Sequence, residues 1–114
     1  MTLTKFERAK LMDEGERLYA KQREEIRGLC DKVGFPVLGI VQLAILDDHR
    51  AIMGACDSNY DNLCAMLASM IVTTAQRSNM DYRAILKDIK RVAKHRAKSP
   101  SSCHFKGTID AGSN

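Results

Sequence analysis

Residues 58–98 limit what this chain can become more than any other stretch. They read as two helices joined by a short turn, the first nearly uncharged and the second strongly basic. From Asn62 to Gln76 there is no charged residue. Leu63, Leu67, Met70, Ile71 and Thr74 define one helical face, and the opposite face is small and uncharged, with Ala65, Ser69, Val72 and Thr73. A helix of that kind is contacted on most sides, so it is expected at the centre of the domain. Ser58 is the expected N-cap, with Asp61 in the first turn, where its charge suits the helix dipole. Arg77-Ser78-Asn79-Met80 forms the turn, and Ser78 or Asn79 is expected to cap the next helix.

That next helix, 80–98, separates sharply on a wheel of 100° per residue. Tyr82, Ile85, Leu86, Ile89, Val92 and Ala93 fall on one side and are expected to face the core. Arg83, Lys87, Lys90, Arg91, Lys94 and Lys98 fall within about 100° on another side. The charge balance explains why this stripe stands out. Residues 1–86 hold 11 Lys/Arg against 12 Asp/Glu, residues 87–98 hold six against one, and the remainder balances Lys106 against Asp110. The basicity is local, and local basicity suggests an anionic partner. A solvated, solubilising face is the everyday role of a basic helix. Attraction of Lys to a helix C-terminus, about 0.3–1 kcal/mol, does not account for six charges in register. Arg96 departs from the stripe and projects near the apolar side.

The first helix is expected over 5–33. Thr4 and Glu7 make a T-x-x-E capping box, and Gly34 followed by Phe35-Pro36 makes a stop. Leu11, Gly15, Leu18, Gln22, Ile26, Leu29 and Val33 recur every three or four residues, opposite a mixed-charge face with Lys10, Asp13, Glu16, Lys21 and Arg23. Such a helix is about 43 Å long, against a diameter of roughly 35 Å for a compact domain of this size. It therefore overhangs or bends, and its stripe wants a partner. A second copy is expected to supply one, with Leu11, Leu18, Gln22 and Ile26 as the oligomer interface.

Residues 36–56 suit a buried helix or a buried strand equally well by periodicity. Helix is favoured, because no second strand-like run is evident for pairing. Residues 99–114 are small, polar and rich in Gly and Ser, which suggests a flexible tail. The chain thus reads as all-α. It is expected to form one domain, 1–98, of four to five helices, with a long N-terminal helix, a central uncharged third helix, a basic fourth helix and a flexible tail, 99–114.

Nothing in the sequence resembles a catalytic or metal signature. There is no Gly-rich phosphate loop, no G-x-S-x-G and no H-E-x-x-H. His49 beside Asp47-Asp48 and the Cys103-His104 pair lack the spacing of a zinc site. Cys30, Cys56, Cys64 and Cys103 contain no C-x-x-C pair and read as reduced thiols of a cytoplasmic protein. Charged residues at Lys5, Glu7, Arg8 and Lys10 argue against a signal peptide. The apolar run Val37–Leu46 is too short to cross a bilayer, and the basic helix lacks the Trp or Phe anchors of a membrane-surface helix. The sequence therefore points to a non-enzymatic regulatory binding protein with no cofactor. Its expected partner is the nucleic-acid backbone, of DNA or of RNA. The alternative is a small inhibitor or adaptor docking on a partner protein, with an acidic surface as the target.

Overall fold

A computed structural model describes residues 2–99 and 103–111. Helix α1 (Lys5–Lys32) opens with the expected capping box: the Glu7 amide donates to Thr4 Oγ1 at 3.1 Å and the Thr4 amide to Glu7 Oε1 at 3.0 Å. The bonds from the Thr4 backbone and side chain hold the Glu7 carboxyl below its ordinary range. The helix stops at Val33, with Gly34 in the left-handed region at φ 80°. Strand β1 (Ile40–Ile45) and strand β2 (Ile52–Asn59) form an antiparallel hairpin, with Val41 opposite Cys56 and Leu43 opposite Gly54. Helix α2 (Tyr60–Ser78) and helix α3 (Tyr82–Arg96) follow. Strand β3 (Cys103–Asp110) then returns to lie parallel to β2, from Ile52 opposite Cys103 to Asn59 opposite Asp110. The sheet order is β1-β2-β3.

The all-α expectation is thus wrong. The chain has three helices and a three-stranded mixed sheet among its described residues. The segment favoured as a helix, 36–56, contains β1 and the start of β2. Its partner strand reads Ile-Met-Gly-Ala-Cys-Asp-Ser-Asn, which is poor in β-branched and aromatic residues. Strand formation here comes from context: β2 lies between two strands and is packed on both faces, which outweighs intrinsic preference. Ala55 and Cys56, each 2% exposed, lie at its centre. Glycines let the strands close up. A Cβ at Gly54 would stand 2.6 Å from the Gln42 carbonyl oxygen, and one at Gly107, where φ is 99°, would stand 2.0 Å from that of Cys56. The segment expected to be a flexible tail contributes β3 at 103–110; its positions 100–102 and 112–114 lie outside the described residues.

The helix caps also differ in detail. Asn59, not Ser58, caps α2, accepting from the Asn62 amide at 2.8 Å. Asn79 ends α2 in the left-handed region, and Asp81 caps α3. Side chains alternate across a strand. Met53, Asp57 and Gln42 accordingly meet α1, while Val41 on the other face meets α2. The result is α1, then the sheet, then the α2–α3 pair.

Helix α1 is rotated from the orientation its apolar stripe suggests. Gly15 is buried, and a Cβ there would meet Met53 Sδ at 2.4 Å. Around this contact the ties are polar. Arg8 Nε donates to Asp48 at 2.9 Å, Arg23 Nη1 donates to Gln42 Oε1 at 2.8 Å, and Arg27 pairs with Asp57. Gln42 Nε2 in turn donates to the Tyr19 carbonyl at 3.1 Å and to Gln22 Oε1 at 2.8 Å. Arg23, expected to be solvated, therefore works at the sheet, while Leu18 is 67% and Leu29 66% exposed.

The chain presents much surface for its size. Its accessible area is 9147 Å², against about 6,200 Å² for a folded monomer of 12.7 kDa. Its radius of gyration is 16.1 Å, against about 13 Å.

Replacing Gly107 with Ala is expected to loosen β3 from β2, since both the positive φ and the Cys56 carbonyl oppose a side chain. Urea denaturation should show a loss of roughly 1–3 kcal/mol. An unchanged midpoint would mean that the strand does not close against β2 as described.

Candidate anion-binding face

Helix α3 carries the basic stripe. Asp81 starts it by accepting from the Arg83 amide at 2.9 Å, and the same carboxylate accepts from Arg83 Nε at 3.2 Å and Nη2 at 2.8 Å. These side-chain and backbone bonds from Arg83 hold the Asp81 carboxyl below its usual range, and Asp81 raises the Arg83 guanidinium in return. Arg83 is therefore already engaged at the helix start. Arg91 lies 3.6 Å from Asp88 one turn back, with both side chains well exposed, a pairing of little energetic weight. Lys87, Lys90 and Lys94 project from α3 into solvent, and Lys98 lies exposed just beyond it. All six stripe residues are thus on the surface.

The apolar side of α3 is less buried than its pattern suggests. Ile85 is buried, but Tyr82, Leu86, Ile89 and Val92 remain 43–51% exposed. Arg96 does not follow the stripe. Its Nη2 donates to the Arg50 carbonyl at 3.1 Å and ties the end of α3 to the β1–β2 turn.

That tie creates a feature the sequence did not reveal. His49 and Arg50 join Arg91, His95 and Arg96 around a cleft of about 710 Å³, with Val92 and Ser99 completing its wall. His49 and Arg50 come from a turn closed by the Ala51 amide donating to the Asp48 carbonyl at 3.1 Å. Both have φ of 56°. Positive φ at both central positions is the signature of a type I′ turn, which ordinarily holds Asn-Gly or Asp-Gly. A β-carbon in the left-handed region costs about 1–2 kcal/mol per residue. The turn is held by Asp48, whose side chain is 3% exposed and pairs with Arg8. Its other oxygen, Oδ1, is buried without a hydrogen-bond partner, 3.8 Å from His49 Nε2. One sequence signal was available: His-Arg occupies a hairpin tip where Gly or Asn belongs. It becomes readable only once the hairpin is known.

Elsewhere the groups are less suited to chemistry. Burial, with the Asp57 charge adding to it, pushes the Cys56 thiol up, which suits an inert core thiol. Cys64 is exposed and Cys30 half-buried. No cluster of three His, Cys, Asp or Glu fit to hold a metal occurs among the described residues, and none of their helices is long and apolar enough to cross a membrane. The four residues expected at an oligomer interface lie apart from the basic face, on α1. Leu11 is half-buried, Leu18 and Ile26 are exposed, and Gln22 is exposed while accepting from Gln42. Compared with protein-family models, curated proteins and solved structures, the chain matches none.

Replacing His49-Arg50 with Asn-Gly is expected to relieve the turn. Thermal or urea unfolding should show a gain of roughly 1–3 kcal/mol. A loss of stability would mean that the turn is not strained.

Proposed function

We propose that this protein is a non-enzymatic regulatory protein that binds the phosphate backbone of nucleic acid. It does so through the basic face of α3 and the adjoining His49-Arg50 turn. The observation that carries the reading is the cleft at the end of α3. A hairpin tip with two consecutive positive-φ residues holds His49 and Arg50 against Arg91, His95 and Arg96. Strained backbone of this kind clusters at ligand sites.

The stripe extends this cleft along the helix. Successive turns set its charges about 5.4 Å apart, a spacing that can follow a phosphate chain. Lys87, Lys90, Lys94 and Lys98 supply point charges, while Arg50, Arg91 and Arg96 supply planar donors suited to phosphate oxygens. Contacts of this kind position a nucleic acid without reading its bases.

A second reading, an inhibitor or adaptor docking on another protein, is favoured by the half-exposed apolar flank of α3. A phosphate backbone has no use for Leu86, Ile89 and Val92. Acidic protein surfaces suit the neighbouring charges equally well.

Fluorescence anisotropy with duplex and single-stranded DNA, titrated against salt, tests the first reading. For four to six neutralised phosphates, log K should fall against log salt with a slope of about −4 to −5 on duplex DNA. Reversing Lys87, Lys90, Arg91 and Lys94 to Glu should abolish binding. The Asn-Gly turn variant should weaken it while remaining folded. No binding at low salt, or equal binding by wild type and the charge-reversed protein, would sink the nucleic-acid reading. Selective capture of an acidic protein by wild type alone would then favour the second.

A further inference from the structure

The two edges of the sheet are not alike. Strand β3 is guarded, with Lys106 and Asp110 along it and Gly107 turned to φ 99°. Charges and local kinks of this sort keep an edge from pairing with other chains. Strand β1, Ile-Val-Gln-Leu-Ala-Ile, has no such guard: no charge, proline or glycine interrupts it. Among the described residues no strand pairs with its outer side. The Leu46 amide already points inward, donating to the Ala51 carbonyl at 2.8 Å. By the alternation of an antiparallel ladder, the amides and carbonyls of Val41, Leu43 and Ile45 point outward.

The surfaces above and below this edge carry exposed apolar side chains as well, with Lys21 and Glu25 beside Leu18 on α1. On α1, Met12 and Glu16 line a groove beside β3, whereas Gln22 reaches Gln42 on β1. Leu18 and Leu29 lie within about 40° of Gln22 on the helical wheel, so they sit on the β1 flank. On the opposite face Leu43 and Ile45 are more than half exposed, and Met70 of α2, beside Val41, is 64% exposed.

We infer that β1 pairs antiparallel with β1 of a second copy, joining two three-stranded sheets into one of six strands. Pairing about a two-fold axis at Leu43 sets Leu43 opposite its own copy and Val41 opposite Ile45, so no charge meets a like charge. An isologous contact of this kind closes as a dimer. The α1 flanks meet above the seam, and Leu18 of the expected helix interface takes part while Gln22 remains committed to Gln42. The area is sufficient. The chain carries about 2,900 Å² more surface than a compact monomer of its mass. A standard-size interface hides about 800 Å² on each partner, well within that excess. The inference stands apart from the nucleic-acid reading, since it uses none of the basic residues.

Light scattering of the full chain at tens of micromolar tests it, with a mass of twice 12.7 kDa expected. The Leu43→Pro variant removes only an outward amide within the protomer, so the protomer should stay folded by circular dichroism while the dimer dissociates. Leu18→Glu, on the helix flank, should raise the dimer dissociation constant at least about tenfold. It decides the matter if the proline variant does not fold. Hydrogen exchange should slow at Val41, Leu43 and Ile45 as concentration rises. A wild-type monomer at that concentration overturns the inference, as does a dimer that Leu18→Glu leaves intact.

Discussion

A buried amide decides how α1 meets the sheet. Gln42 on β1 cannot be left without partners, because an unpaired buried polar group costs about 1–3 kcal/mol. It takes one bond from Arg23 and gives two to α1, to the Tyr19 carbonyl and the Gln22 side chain. Satisfying it fixes the roll of the helix. The roll that presents Tyr19, Gln22 and Arg23 to the sheet also sets Gly15 over Met53 and carries Arg8 and Arg27 to Asp48 and Asp57. The same roll leaves Leu18 and Leu29 outside. A helix docked by its polar residues has its apolar ones to spare.

The hairpin tip depends on the same arrangement. Asp48 is buried against Arg8, so the first turns of α1 anchor the residue that opens the turn. Arg96 anchors it from the other side, through the Arg50 carbonyl. Two consecutive left-handed residues can persist between such anchors although neither is Gly or Asn. The turn and the far end of α3 are then held together through a backbone carbonyl, while Arg83 and Arg91 keep carboxylate partners of their own in Asp81 and Asp88.

How far the sequence revealed this structure varied with distance along the chain. The α1 start was legible because a capping box is local, Thr4 and Glu7 lying three residues apart. The two later helices were legible as helices because their apolar and basic residues recur at helical spacing. The central place expected of the uncharged one was wrong: of α2 only Ala75 is buried, and the sheet takes the middle of the fold. The sheet was not legible. Its central strand contains Gly54, Ala55, Cys56, Asp57 and Ser58, residues with no strand signal of their own. It becomes a strand through pairing with β1 and with residues about fifty positions further on. For the same reason β3 read as a tail. Composition describes what a segment prefers alone, and Lys-Gly-Thr-Ile-Asp alone prefers little. The stripe Arg83 to Lys98 was visible as charge, whereas its neighbours His49 and Arg50 were invisible until the hairpin placed them beside it.

The parallel pairing of β2 with β3 also sets an order of events. Joining Ile52 to Cys103 closes a loop of some fifty residues, an entropic cost of about 3–4 kcal/mol before any contact repays it. The β1–β2 hairpin and the α2–α3 pair are local and form without it. The central strand therefore spends the early part of folding with one side unpaired. It is shielded in that interval by its poor β-forming sequence. Residues that make β2 hard to recognise also make it a poor template for wrong partners while it waits for β3.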